Sequence, residues 1–276
     1  MWSPRRFALF QTERLRPARD LLTRVSWKLP GTIPSILDVG CGHGESSKLL
    51  LHEFPNAKLL CMDIDADRLK EAQEDEGLSS RALCSFKCES VEDHFSAAAA
   101  SSGAVYDLIF SNAAMHWTDV AELLPRMLRR VRPGGALALQ MPENQGLRRL
   151  FTETAIDLGV VDRLKLPRRE ADPTRYANAL LGTRYASLDM WSASYVHCLT
   201  GEDPVYHFMK NTFDGRQCML ESFGGEETQT SKAFCELYRQ KVGKAYPPLA
   251  DGTTLLPFTR FFMVVRKPSI LDEMTS

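Results

Sequence analysis

Three glycines spaced two apart, Gly40, Gly42 and Gly44, follow the apolar run Ile36, Leu37 and Val39 and precede a polar, helix-capable stretch in ILDVGCGHGESS (36–47). The pattern predicts strand, tight loop, helix. Glycine there lets the backbone take positive φ and come close to a ligand, and the bare N–H groups at the start of the next helix bind anions. A dinucleotide pyrophosphate is the obvious occupant, but the residues argue against it. A dinucleotide loop reads G-x-G-x-x-G, whereas here the third glycine comes one residue early and Glu45 follows it. A carboxylate at the mouth repels pyrophosphate. The sequence also has no G-x-x-x-x-G-K-[ST], which excludes a nucleotide P-loop. A second apolar run, KLLCMD, ends at Asp63, 19 residues beyond Gly44, where a carboxylate accepts bonds from both hydroxyls of a ribose. The expected ligand therefore carries a ribose and no phosphate.

S-adenosylmethionine meets both conditions. Its amino-acid end presents a carboxylate to backbone N–H groups and an ammonium to an acid or carbonyl, and its ribose meets Asp63. Asp38 is placed either to organise the loop or to face the ammonium. Further along, Ser111-Asn112-Ala113-Ala114-Met115-His116-Trp117 follows another strand candidate, at the carboxyl edge where ligands of such sheets bind. There Asn112 suits the cofactor's amino-acid end or a substrate, Trp117 suits a wall that keeps water out, and His116 suits a pocket histidine.

The elements that must position these residues alternate from 36 to 141: SILDVG then ESSKLLLHEF, KLLCMD then DRLKEAQEDE, ALCSFKC, YDLIFS then VAELLPRMLRRV, and ALALQM. Five strands with intervening helices predict a doubly wound parallel sheet covered on both faces. Pro-Gly-Gly (133–135) reads as the turn into the fifth strand, and SAAAASSGA (96–104) as a surface connection. Two later strand candidates, 189–199 and 258–267, flank a helical region that reads as a lid insertion over about 201–250. One domain is expected over 1–276: an N-terminal helical cap (1–30), a cofactor-binding core (31–145) and substrate-side elements (146–276). Tyr195, His197 and Trp191 alternate along one face of the first late strand, which reads as core.

Composition narrows the partners. With 34 Lys and Arg against 35 Asp and Glu, the net charge of −1 gives no field to attract nucleic acid or an anionic membrane, which leaves a small molecule. Seven scattered cysteines without a C-x-x-C pair suit reduced thiols in the cytoplasm and argue against a zinc site. No apolar run approaches the ~20 residues of a membrane span. Arg5 and Arg6 without a nearby acid permit a weak presequence, but the helical pattern from Arg6 to Val25 reads as part of the fold.

LDVGCGHG (37–44), Asp63 and the Arg-Pro-Gly-Gly turn (132–135) resemble class I, Rossmann-like methyltransferases. More narrowly, WSP…LFQTERLRPARDLLTRV, YDLIFSNAAMHW, LQMPEN and FTRFFMVVRK together look like the trans-aconitate 2-methyltransferase family, from Trp2 to about Lys267. The resemblance implies a seven-stranded, mostly parallel sheet, S-adenosylmethionine as cofactor, and a carboxylic acid as methyl acceptor. It also implies an acid after the third strand that recognises adenine. SFKCESVED (85–93) offers Glu89 or Asp93 for this role, while the matching position falls nearer Ser90; Glu89 is the choice among them, and it reads equally well as a surface carboxylate.

A carboxylate acceptor is already ionised at neutral pH, since model acids have pKa values of about 4, so no general base is expected. Positioning and exclusion of water should dominate catalysis. A polyanionic acid calls for a cationic clamp, and the planar fork of Arg suits carboxylates. Arg14, Arg16 and Arg260 are the candidates, with Arg168, Arg169, Arg175 and Arg184 behind them. The expected reaction is monomethyl esterification of a small polycarboxylic acid, trans-aconitate by preference, by a cytoplasmic monomer that uses no metal. Two alternatives stand beside it: methylation of a fatty or isoprenoid acid, and a non-catalytic cofactor-binding assembly factor.

Overall fold

The computed structural model of the chain describes residues 11–25, 29, 32–96, 105–143, 145–166, 171–210, 221–270 and 272. Its helices are α1 (Gln11–Thr23), α2 (Glu45–Glu53), α3 (Ala66–Glu74), α4 (Glu76–Ser79), α5 (Val91–His94), α6 (Val120–Arg129), α7 (Gln145–Asp157), α8 (Pro173–Leu180), α9 (Pro204–Lys210) and α10 (Gln229–Ala245). Its strands are β1 (Ser35–Val39), β2 (Lys58–Asp63), β3 (Cys84–Cys88), β4 (Tyr106–Asn112), β5 (Val131–Pro142), β6 (Ser187–Leu199) and β7 (Thr254–Arg266). Residues 97–104 of the small-residue connection lie outside the described residues, as do Arg168 and Arg169.

The seven strands form one sheet in the order β3-β2-β1-β4-β5-β7-β6. Pairs β2/β3, β1/β2, β1/β4 and β4/β5 are parallel, as the alternating strand and helix pattern predicts. Gly134 N–H donates to Lys267 O and Glu143 N–H to Thr259 O, and this crossed numbering sets β7 antiparallel to β5. The strand order reverses between β1 and β4, and ligands of open sheets bind at the carboxyl ends beside such a reversal. The helical insertion falls before β7, as expected.

One expected detail changes. The Arg-Pro-Gly-Gly segment does not lead into β5; it bulges from a strand that already begins at Val131. Tyr106 pairs with Val131 while Leu108 pairs with Ala136, so β5 carries three surplus residues over that step. Gly134 takes φ +80°, and a Cβ on Gly135 would come within 2.6 Å of the Asp107 carbonyl oxygen, which explains the two glycines. A bulge of this kind raises the local twist while the ladder resumes beyond it.

Asp and Ser or Thr side chains fix several helix starts: Asp65 caps α3, Asp119 caps α6, Asp172 caps α8 with Pro173 in the first turn, and Thr228 caps α10. The described residues fall into two compact units. In the larger (Arg14–Met141, Glu170–Ser192, Phe261–Ser276), Leu37, Val39, Met62, Ile109, Leu137, Leu139 and Met141 share one sheet face with Phe261 and Met263. They pack against Leu124 and Met127 of α6 and Tyr176 and Leu180 of α8. Alternation then puts Asp38, Phe110 and Ala138, in register with one another, on the opposite face, together with the adjacent pair Asn112 and Gln140. The smaller unit (Met1–Glu13, Pro142–Arg169, Ala193–Arg260) has its own core of α7, α9 and α10, in which the rings of Phe151 and Tyr238 lie 4.4 Å apart edge to face. Among the described residues no helix is long and apolar enough to cross a membrane.

Candidate active site

The glycine loop joins β1 to α2 as its sequence predicts. Gly40 and Cys41 N–H both donate to Met62 O, at 2.7 and 3.0 Å, which pins the loop to the end of β2. The three glycines have different reasons to be there. A Cβ on Gly40 would collide with the Ala114 side chain, and one on Gly44 with Leu78, so these two permit packing. Gly42, at φ +56°, has nothing within 4 Å of where a Cβ would stand, so its open side is where a ligand can approach the backbone. Its N–H donates to Asp63 Oδ2 at 2.8 Å, and Asp63 Oδ1 accepts from Asp65 N–H at 2.9 Å. The expected ribose acid therefore braces the loop as well. Each of its oxygens keeps a second lone pair for a hydroxyl.

Asp38 is fully buried. Its Oδ2 accepts from the hydroxyls of Ser46 and Ser47 at 2.7 and 2.6 Å, while Oδ1 has no partner among the described residues. Burial pushes its carboxyl up to about 6, against the pull of the two serines. Both readings of Asp38 are thus accommodated: one oxygen ties the start of α2 to β1, and the other is left for a cation. Glu45, by contrast, is neutralised by Lys48 at 2.9 Å, which also reaches Asp75 at 2.9 Å. The negative charge that disfavours a phosphate here comes from Asp38 and Asp63 rather than from Glu45.

After β3, Ser90 caps α5, its hydroxyl accepting from Asp93 N–H at 3.1 Å and donating to Asp93 Oδ2 at 2.7 Å. Ser90 and Asp93 are thereby committed to each other. Glu89 is held at the site by its backbone N–H, which donates to Asp63 O at 3.1 Å. Lys87 and His94 both bond its Oε2, each at 2.7 Å, and Oε1 has no partner among the described residues. Next to Asp63, Ile64 is 72% exposed. A large apolar side chain in water beside the ribose acid offers a face to a flat purine, and the sequence reading passed over it because an isoleucine closing an apolar run looks like strand.

At the end of β4, Ala113 takes φ 57°, and its N–H donates to Gln140 O at 2.9 Å. Buried Asn112 Oδ1 and both amide atoms of fully buried Gln140 have no hydrogen-bond partner among the described residues. Buried polar atoms in this condition are uncommon and call for a reason. Gln140 escaped the sequence reading because one amide in the run ALALQM looks like an outward-facing strand residue. Met115, His116 and Trp117 form a 3-10 turn in which His116 is buried with its ring 4.9 Å from that of Trp117.

The arginines separate. Arg16 is exposed on α1, and Arg14 lies on the same helix with its side chain outside the described residues. Arg175 is paired with Asp119 at 2.6 Å, which joins α8 to the start of α6. Arg184 lines an open surface cleft of about 480 Å³ with Leu181, Tyr185 and Pro268. Arg260, in the smaller unit, is only 6% exposed and holds its guanidinium 4.4 Å from the centre of the Phe258 ring.

Residues 36–135, which hold the glycine loop, Asp63 and β4, match the model of a methyltransferase domain family. The chain is 34% identical to the trans-aconitate 2-methyltransferase of Methylobacterium nodulans, over 96% of its own length and 98% of the relative's. It is also 34% identical to the enzyme of that name from an Azoarcus species, over 95% and 98%. This chain belongs to the trans-aconitate 2-methyltransferase family. It is an S-adenosylmethionine-dependent methyltransferase, as the glycine loop and Asp63 suggested. Solved structures agree in fold. A methyltransferase structure from Bacillus halodurans gives a TM-score of 0.54 at 13% identity, covering 91% of this chain and 99% of that one. The phosphoethanolamine N-methyltransferase 2 of Haemonchus contortus, in complex with S-adenosylmethionine, gives 0.52 at 18%, covering 92% and 52%.

Proposed function

We propose that this member of the family is a cytoplasmic monomer that methylates one carboxylate of a small polycarboxylic acid, trans-aconitate by preference, to give the monomethyl ester. The observation that carries this reading is the reach of the similarity. Identity to relatives of that name runs over 96% of the chain, far outside the methyltransferase domain at 36–135 and through the segments on the substrate side.

S-adenosylmethionine supplies a methyl group already activated on a sulfonium, so the chain's own residues have to bind, orient and desolvate. Gly42 presents its open backbone to the amino-acid end, Asp38 Oδ1 faces the ammonium, and Asp63 takes the ribose hydroxyls. Ile64 supports the purine face, and Glu89 Oε1 accepts from the adenine amino group. Asn112 and Gln140, side by side at the carboxyl edge, offer amide groups to the reacting end, where Trp117 keeps water out. No proton has to be removed from a carboxylate nucleophile, so His116 is a buried wall residue and not a base. Rate enhancement would come from these residues holding the acceptor carboxylate in position and keeping the site dry. Arg260, buried against Phe258, is the strongest candidate for the acid clamp, since a guanidinium shielded from water binds carboxylate more strongly than an exposed one.

Transfer of labelled methyl from S-adenosylmethionine to trans-aconitate, other small polycarboxylates and medium-chain fatty acids tests the reading. Fast turnover confined to trans-aconitate is expected. Turnover only on a fatty acid, or cofactor binding with no acid methylated, overturns it.

A further inference from the structure

Beneath the site runs a hydrogen-bonded chain that the mechanism does not use. His94, 5% exposed at the end of α5, places Nδ1 2.7 Å from Glu89 Oε2 and Nε2 3.0 Å from the Tyr106 hydroxyl. The chemistry of the partners fixes the direction of each bond. Glu89 is held below the usual carboxylate range by Lys87 and His94, so it is ionised and can only accept. Nδ1 must then carry the proton. Burial holds His94 below the ordinary histidine range, so the ring is neutral near pH 7, Nε2 is bare, and it accepts from the Tyr106 O–H. Arg130 in turn bonds the Tyr106 hydroxyl.

Each end of this chain is anchored. Tyr106 is the first residue of β4, and its N–H donates to Arg130 O at 2.8 Å; Glu89 N–H donates to Asp63 O. The half-exposed Lys87 also reaches Oε2, but an exposed ion pair of this kind contributes little and does not fix a rotamer. The buried, directional bond from His94 does fix it, by occupying Oε2 and leaving Oε1 without a partner among the described residues, on a residue whose backbone N–H is tied to Asp63 O.

We infer that His94, backed by Tyr106, is a positioning residue for nucleobase recognition: it presents the free Oε1 of Glu89 to an exocyclic amino group and so makes the enzyme selective for an adenine-bearing cofactor. This rests on the reading of Glu89 as the adenine acid. The groups that face the His94 ring are Glu89, Tyr106, Lys87 and Arg130. Protonation of the ring in mild acid reverses the bond to Tyr106, whose hydroxyl oxygen then accepts from Nε2–H, while the Nδ1–H bond to Glu89 is kept.

Calorimetry on the full-length protein separates the inference from the reading below it. The probes are S-adenosylhomocysteine and its 6-desamino purine analogue, which lacks the amino group. Wild type should bind the adenosyl compound at least about tenfold more tightly, the worth of one hydrogen bond to a charged group. His94→Phe should lose most of that ratio by weakening the adenosyl ligand alone. His94→Asn, which keeps a donor near the Nδ1 position, should restore it, and Tyr106→Phe, which keeps the ring packing, should lower it partway. Equal weakening of both ligands by His94→Phe together with an unchanged ratio in Tyr106→Phe makes the chain a packing feature and overturns the inference. If wild type itself binds the two ligands equally, the assignment of Glu89 fails and the inference falls with it.

Discussion

Gly42 and Asp63 act as one device: the Gly42 N–H donates to Asp63 Oδ2 at 2.8 Å, so the acid proposed to meet the ribose also braces the loop proposed to meet the amino-acid end. On that proposal, two ends of one ligand are read by parts that hold each other in place. Asp63→Ala should weaken S-adenosylmethionine binding by about 1–3 kcal/mol, roughly five- to 150-fold in Kd. Titration calorimetry measures this, and an unchanged Kd removes Asp63 from the site.

The loop glycines should respond differently to a single methyl group. Gly42→Ala puts its Cβ into open space at positive φ, so a stability loss on the order of 1 kcal/mol should accompany a much larger loss of cofactor affinity. Gly40→Ala drives its Cβ into Ala114 and should cost more stability than Gly42→Ala does. Thermal melts beside binding isotherms check the contrast; equal melting temperatures for the two variants would sink it.

Asp38 gives the protein a pH signature. Its carboxyl is raised from 3.8 to about 6 in the fold, so the folded state holds a proton that the unfolded chain gives up near pH 4. Stability from this group is therefore greatest below about pH 4, falls as pH rises to about 6, and is flat above, by ~3 kcal/mol in all. Asp38→Asn should lack the decline. Urea midpoints of the two proteins between pH 4 and 7 give the difference directly. A cation opposite Oδ1 favours the ionised form, so cofactor affinity should rise through the same window.

The loop and strands that carry the candidate site were legible because their signals are local. A strand, three glycines and an acid on the next strand are read along one stretch of chain, and the apolar runs mark the first five strands in succession along it. The bulge at Pro133-Gly134-Gly135 was not legible, because Gly135 is needed for its closeness to Asp107, a neighbour on another strand. Sequence alone left Glu89, Ser90 and Asp93 as alternatives because it does not show the cap that engages Ser90 with Asp93. Gln140 and Ile64 stayed hidden for a similar reason. An unsatisfied amide or an exposed isoleucine is defined by what surrounds it, and period-two alternation does not report surroundings.

Gln140 sets stability against activity. Two unpartnered buried amide atoms cost the fold about 1–3 kcal/mol each in desolvation. Gln140→Leu keeps the volume and removes that penalty, so its melting temperature should rise while methyl transfer falls by an order of magnitude or more. A variant that gains stability and keeps full activity would show the amide to be a defect of the core and not part of the site.

Arg260 separates charge from geometry. Arg260→Lys keeps a cation on β7 but loses the planar fork that donates two parallel bonds to a carboxylate, and it gives up the guanidinium stacking on Phe258 at 4.4 Å. If Arg260 clamps the acid, KM for trans-aconitate should rise about tenfold or more while the Kd for S-adenosylmethionine stays within about twofold. A structural arginine behaves otherwise. Because Arg260 is buried, a lost packing contact would lower the melting temperature and disturb both substrates alike. Steady-state kinetics with each substrate varied in turn, beside a melt, therefore decides between the two roles.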